Sequence, residues 1–222
     1  TDYLKSIVGA RKNVSTLMLY YELGRLPLFI DRRMSIMKYW CDLVSTDNCI
    51  LRSCYEQMCR DIDHGPGQGA NWARSVKHEL YRLGLGEYWV SQSIVNRTAF
   101  VNIVSRRYTD EFIQKCHSFF EMSNKCFLYK HTVNTFDLQH YLSKRLMSKY
   151  QSVLFKIRTS SHCLLIEQGR FDNTPVNLRL FSFCHLNEIE DEYHFVLCCP
   201  LYHDIRLQYI KSYYFLRPSV TS

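Results

Sequence analysis

Glycine and proline are scarce in this 222-residue sequence, at 8 and 5, too few for the many tight turns an all-β chain requires. No run of about 18 apolar residues occurs, so no membrane-spanning helix is expected. The first 25 residues lack a basic stretch followed by an apolar one and a small-residue cleavage site. No signal peptide is therefore expected, and the chain reads as intracellular. An initiator methionine is missing too: the opening TDYLKSIVGARKN is already helical in pattern and reads as a piece of something longer.

What is present points to helices around a real core. Hydrophobic residues make up 46% of the chain against 22% charged, a globular balance. Ten cysteines would suggest disulfides in a secreted protein. Here Cys41, Cys54, Cys59 and Cys116 are scattered along amphipathic patterns, where cysteine serves as a small hydrophobe. Lys and Arg outnumber Asp and Glu by 28 to 21, a net charge of +7 that leans toward polyanionic partners.

The fold class expected is mainly α, an irregular multi-helix assembly with a small Cys/His clip near the C-terminus. Pro27 suits a first helical position, and Leu26, Ile30, Met34, Met37, Cys41 and Val44 mark one face at steps of three and four. Asp47 or Asn48 then caps a helix with Leu51, Cys54, Met58 and Ile62 inward, ended by the loop DHGPGQGAN. A third helix runs from about Trp72 through Val76 and Leu80 to the stop GLG. The segment from Glu87 to Tyr108 leaves helix and strand open, and from Thr109 the period is helical again (Phe112, Cys116, Phe119). Residues 136–158 read as one or two helices (Tyr141, Leu146, Tyr150, Leu154, Ile157), and SHCLLIEQG as a shorter one ending at Gly169.

The densest chemistry lies in FSFCHLNEIEDEYHFVLCCPLY, from Phe181 to Tyr202. With Asp191 as N-cap, His194 and Cys198 fall four apart on one helical face, and Cys184 is far enough upstream to reach them by a chain reversal. Two Cys and one His suit tetrahedral zinc. The fourth ligand is not evident: Phe181 stands three before Cys184, and Cys199, His185 or His203 are the available substitutes. The bland alternative, small buried side chains that happen to carry sulfur and imidazole, remains open on spacing alone. Beyond the clip, Pro200 starts a final helix expected to pack Leu201, Ile205 and Tyr209 inward with Arg206 outward.

Four blocks in order, YYELGRLPLFIDRRMSIMKYW (Tyr20–Trp40), WARSVKHELYRLGLGEYW (Trp72–Trp89), KIRTSSHCLLIEQGRFDNTP (Lys156–Pro175) and EDEYHFVLCCPLYHDIR (Glu190–Arg206), resemble the C-terminal region of LINE-type, non-LTR retrotransposon reverse transcriptases. The resemblance covers nearly the whole chain. It implies residues 1–135 as a helical region following the polymerase core and 136–222 as a basic helical segment with a zinc-binding C-terminal region. The family pattern R-x-C-x2-C stands here with Phe181 in place of one cysteine. The zinc site is thus retained at Cys184, His194 and Cys198.

The Tyr-x-Asp-Asp turn of such polymerases does not occur, and RDID (Arg60–Asp63) falls at a helix end without flanking strands. Adjacent His162 and Cys163 point about 100° apart on a helix and do not form a nucleophile–base pair. Ser-Ser-His with Glu167 lacks the elbow and oxyanion loop of a hydrolase. The chain alone is therefore expected to be noncatalytic, with polymerase chemistry upstream. Around residues 144–158, Lys144, Arg145, Lys149, Lys156 and Arg158 form a basic side, continued by Arg170 and Arg179 and interleaved with Tyr150, Phe155 and Phe171. Such a stripe can hold phosphates and stack unpaired bases of RNA or DNA. Arg158, Arg170 and Arg179 are expected to converge on phosphate beside the zinc. A metal-free helical scaffold or protein-interaction module is the alternative. Glu167 and Arg170, three apart, can pair on one helix face.

Overall fold

The computed structural model describes residues 2–63, 71–133, 135–144 and 147–216. Arg145, Leu146 and residues 64–70 of the expected loop lie outside them. The chain is helical: α1 (Asp2–Ile7), α2 (Thr16–Glu22), α3 (Leu28–Val44), α4 (Cys49–Asp63), α5 (Trp72–Arg82), α6 (Gly86–Ser91), α7 (Arg97–Met122), α8 (Phe127–Thr132), α9 (His140–Ser143), α10 (Ser148–Arg158), α11 (Leu165–Phe171), α12 (His203–Tyr209) and α13 (Tyr213–Leu216). Among the described residues there is no strand, only two isolated antiparallel bridges, Leu23 with Leu138 and Leu180 with Ile189. No helix among them is long and apolar enough to cross a membrane.

Two compact units form. Residues 26–115 make one unit; residues 1–25 join 116–222 in the other. In the first, Pro27 precedes α3 and the predicted face is realised by Ile30, Met37 and Cys41, with Trp40 added. Asn48 caps α4 through Oδ1, which accepts from the amides of Ile50 and Leu51 at 3.1 Å each. The inward face of α4 is not the predicted one. Leu51, Cys54 and Met58 are exposed, while Tyr55 is buried. Its hydroxyl accepts from Trp40 Nε1 at 2.8 Å and donates to Gln92 Oε1 at 2.7 Å. A tyrosine with two partners at its tip is a better core residue than its polar end suggests. The segment left open is helical on both sides of a break: α6, then α7, which starts twelve residues before Thr109.

In the second unit, Val8, Val14, Leu19 and Phe155 form a core cluster. Phe155 is wholly buried, so it is a core ring rather than a stacking platform for bases. Burying such a side chain is worth about 1.5–3 kcal/mol. Glu22 at the end of α2 is also fully buried, and Arg158 at the end of α10 meets it with Nη2 at 2.9 Å and Nε at 3.2 Å. Tyr141 donates to the same carboxylate at 2.6 Å. Gly169 lies inside α11 rather than past its end, since the helix continues to Phe171. Glu167 and Arg170 do pair on that helix, 3.0 Å apart.

Candidate metal centre

The last third of the chain builds one small site. A hairpin opens with Phe181 donating its amide to the Glu188 carbonyl and Glu190 donating to Arg179, both at 2.9 Å. Asn187 closes it at φ 51°, a conformation asparagine tolerates. The hairpin holds Cys184 near its tip. Asp191 then caps the next turn as expected, its Oδ1 accepting from the His194 amide at 2.7 Å.

That turn is a π-helix, His194–Cys198, closed by the Cys199 amide donating to the His194 carbonyl at 2.7 Å. Its wider pitch departs from the α-helical four-residue spacing that paired His194 with Cys198. Cys199 precedes Pro200, which pushes it out of the helix to φ −56°, ψ 121°. The consequence is a change of ligand. Cys184, His194 and Cys199, all buried, bring their ligand atoms within 4.8 Å of one another. Cys198 is outside that group, and its thiol interacts with Tyr193 instead. His185 and His203 are exposed and outside it as well.

His194 Nε2 lies 3.4 Å from Cys184 Sγ, and Nδ1 lies 3.0 Å from Glu188 Oε2. A carboxylate behind Nδ1 keeps the proton there and presents the Nε2 lone pair to the sulfurs, the arrangement that orients metal-ligating histidines. Tetrahedral zinc with bonds of about 2.3 Å to sulfur and 2.0 Å to nitrogen separates S and N ligands by about 3.5 Å. The observed spacing matches. Burial and the neighbouring Cys184 both push the Cys199 thiol up, and a cation beside its sulfur would offset that. Phe181, in the position of the absent cysteine, packs with Cys184, Cys199 and Tyr202 and sets its ring 5.8 Å from His194. The site is apolar on that side and offers three protein ligands.

Arg206 holds the end of the turn. It is buried, and donates from Nε to the Val196 carbonyl and from Nη2 to the Cys199 carbonyl, both at 2.8 Å. This reverses the expected orientation of the last helix: Leu201, Ile205 and Tyr209 are exposed. The orphan carbonyls at the end of a helical turn attract a guanidinium more strongly than the core attracts those side chains.

The predicted basic stripe divides. Arg158 is committed to Glu22 and also donates to Gln139 Oε1 at 3.2 Å. Arg179 is buried, donating to the Thr174 carbonyl at 2.7 and 2.9 Å and to Ile166 at 2.7 Å. Arg170 is partly exposed, donating to the Asn124 carbonyl at 2.9 Å beside its pairing with Glu167. Each of the three guanidiniums organises nearby backbone or a buried acid, and Arg170 and Arg179 line one cleft with Asp191 and Glu192. Lys149 is exposed over the Tyr150 ring, 4.9 Å from its centroid, and Lys156 is partly exposed. Sequence reasoning missed Cys199 as a principal ligand, Glu188 and Arg206. The signal for Cys199 was present in Cys-Cys-Pro. Comparison with protein-family models, curated proteins and solved structures finds no match for this chain.

Proposed function

We propose that this chain is a noncatalytic, nucleic-acid-binding region of a LINE-type reverse transcriptase, downstream of its polymerase core, whose C-terminal segment is pinned by one zinc ion on Cys184, His194 and Cys199. The observation that carries the reading is the convergence of two thiols and an imidazole nitrogen, with Glu188 fixing the imidazole from behind. The ordered blocks of the sequence support the family, and the net charge of +7 with Lys149 and Lys156 on α10 supports a polyanionic partner. Water or a neighbouring molecule completes the coordination, as in zinc sites with three protein ligands.

Metal analysis of the purified chain tests the clip. About one zinc per chain is expected, lost in Cys184→Ala and Cys199→Ala and kept in Cys198→Ala. The logarithm of the RNA affinity should fall linearly with the logarithm of salt concentration. Metal-free protein with unchanged melting in chelator, and RNA binding indifferent to salt, would overturn the reading. The second reading, a metal-free helical scaffold, is favoured by the inward commitment of Arg158 and Arg179. In it, the Cys184–His194 contact is a thiol donating to imidazole.

A further inference from the structure

A second site of different chemistry lies in the unit of residues 26–115. A cleft of about 540 Å³ opens among α3, α4, α5 and α6. Its floor is Tyr55 and Trp89, held rigid by the Trp40–Tyr55–Gln92 hydrogen bonds. One wall is Tyr81, whose ring is half exposed. Gly86 lets that ring come close: a Cβ there would lie 2.8 Å from a ring carbon, so the aromatic edge rests on bare backbone. Arg52, Arg60 and Lys77 line the rest, and among the described lining residues the one acid is Glu56.

We propose that this cleft takes up a nucleoside phosphate unit, with the base against Tyr81 and the phosphate among Arg52, Arg60 and Lys77. A ring and a cluster of cations in one pocket of this volume match a ligand that carries an aromatic face beside a polyanionic group. An acidic peptide satisfies the cations but leaves the ring unused. Arg52 faces Glu56 at 3.4 Å in an exposed pair, which a phosphate can displace. Arg60 leans on the Gln57 amide, and Lys77 Nζ sits 5.8 Å from the Trp89 centroid. Gln92 is engaged at both ends of its amide, by Tyr55 and by the Trp89 carbonyl. Stacking and charge therefore set the affinity, and base identity matters little. The ligand class is shared with the function proposed above, but the residues are different and lie in the other unit.

The test is fluorescence anisotropy on the full chain with a labelled oligouridylate of about ten nucleotides, within the site sizes such stacking grooves cover. Tyr81→Ala and the double variant Arg52→Gln/Arg60→Gln are surface changes whose folding is checked by circular dichroism. Tyr81→Ala should weaken binding about 5- to 150-fold, the range of one base–aromatic stack. The double variant should lower the log–log salt slope by about 1.4, at about 0.7 per phosphate contact for single strands. Competition by adenosine monophosphate assigns the site to free nucleotides; oligonucleotide binding that it does not displace assigns it to a strand. Unchanged affinity and slope in both variants overturn the proposal, as does equal competition by polyglutamate. If Cys199→Ala abolishes oligonucleotide binding while Tyr81→Ala leaves it intact, the cleft falls and the zinc reading stands. The opposite pattern separates them the other way.

Discussion

Replacing Arg158 with Met decides whether this guanidinium serves the core or a phosphate. Glu22 is fully buried, and its carboxylate receives Arg158 at 2.9 and 3.2 Å and Tyr141 at 2.6 Å. At an effective dielectric near 20, a unit charge pair about 4 Å apart is worth about 4 kcal/mol. Truncating one partner of a buried pair leaves the other charge uncompensated and costs about 3–5 kcal/mol. Arg158→Met should therefore destabilise the unit of residues 1–25 and 116–222 by that amount, read as a shift in urea midpoint by far-ultraviolet circular dichroism. Tryptophan fluorescence is the wrong probe, because Trp40, Trp72 and Trp89 all lie in the other unit. Adding Glu22→Gln to Arg158→Met should recover most of the loss, since the double change removes the stranded charge. A loss below about 1 kcal/mol would refute the buried-pair reasoning, being the scale of an exposed ion pair. An unchanged midpoint together with a salt slope for RNA lowered by about one would move Arg158 to the nucleic-acid interface.

Three other outcomes follow from the same geometry. Gly169→Ala tests the inward position of Arg179: the new Cβ would lie 2.5 Å from Arg179 Nε and 2.7 Å from Cδ, and that side chain is pinned by three hydrogen bonds to two carbonyls. Overpacking of about 1–3 kcal/mol should outweigh the roughly 1 kcal/mol of helix propensity gained, so thermal melting should show a net loss; a net gain would mean that Arg179 swings free. Arg206→Gln should weaken zinc binding about 10- to 100-fold in a competitive chelator titration, as loss of an outer-shell partner does, with Arg206→Lys restoring part of it. In the other unit, burial raises the Glu79 pKa, but Arg82 and Tyr108 donating to it, with Arg33 nearby, overcome that and leave it below the ordinary carboxylate value. A depressed folded pKa gives stability that is present above the unfolded pKa of about 4.3 and lost as pH falls through the folded value. Urea unfolding of Glu79→Gln should thus show a deficit at pH 7 that shrinks toward pH 3; a constant deficit would remove charge from the explanation.

Helical periodicity located the elements more reliably than the faces they bury. The α3 spacing and the Asn48 cap were legible because each rests on local geometry: apolar residues at steps of three and four, and a side-chain oxygen within reach of free amides. Helix α4 misled because apolar side chains occur on more than one face. Leu51, Cys54 and Met58 make a regular stripe, yet Tyr55 is buried, and what selects it is Trp40 and Gln92, which are 15 and 37 residues away. No window of the local sequence contains that information. The open segment became helical for a related reason: Phe100, Val104, Tyr108 and Phe112 are buried at helical steps, a pattern that emerges once α7 is extended back to Arg97.

The clip shows the same division at the scale of single ligands. Two of its three residues, Cys184 and His194, were readable from residue type and spacing, because a nine-residue gap and a capped turn are enough to close a loop. The third was displaced by one position, from Cys198 to Cys199, and the cause is the backbone. An i to i+4 rule holds only while the turn is α-helical, and this turn is widened to π and ended by Pro200. Arg206 completes the shift by binding the carbonyls of Val196 and Cys199, so the residue expected to face solvent fixes the backbone of a ligand. The arginines expected as phosphate contacts were read from charge, helical spacing and the family resemblance, and none of these distinguishes a guanidinium facing solvent from one facing carbonyls. Where a buried acid such as Glu22 or a set of free carbonyls lies within reach, the planar fork of arginine satisfies several acceptors at once. An ammonium is better left in water, as with Lys149 on the exposed face of α10. On that argument the exposed Lys149 of α10, rather than Arg158 or Arg179, is the cation whose removal should lower the salt dependence of the proposed RNA binding.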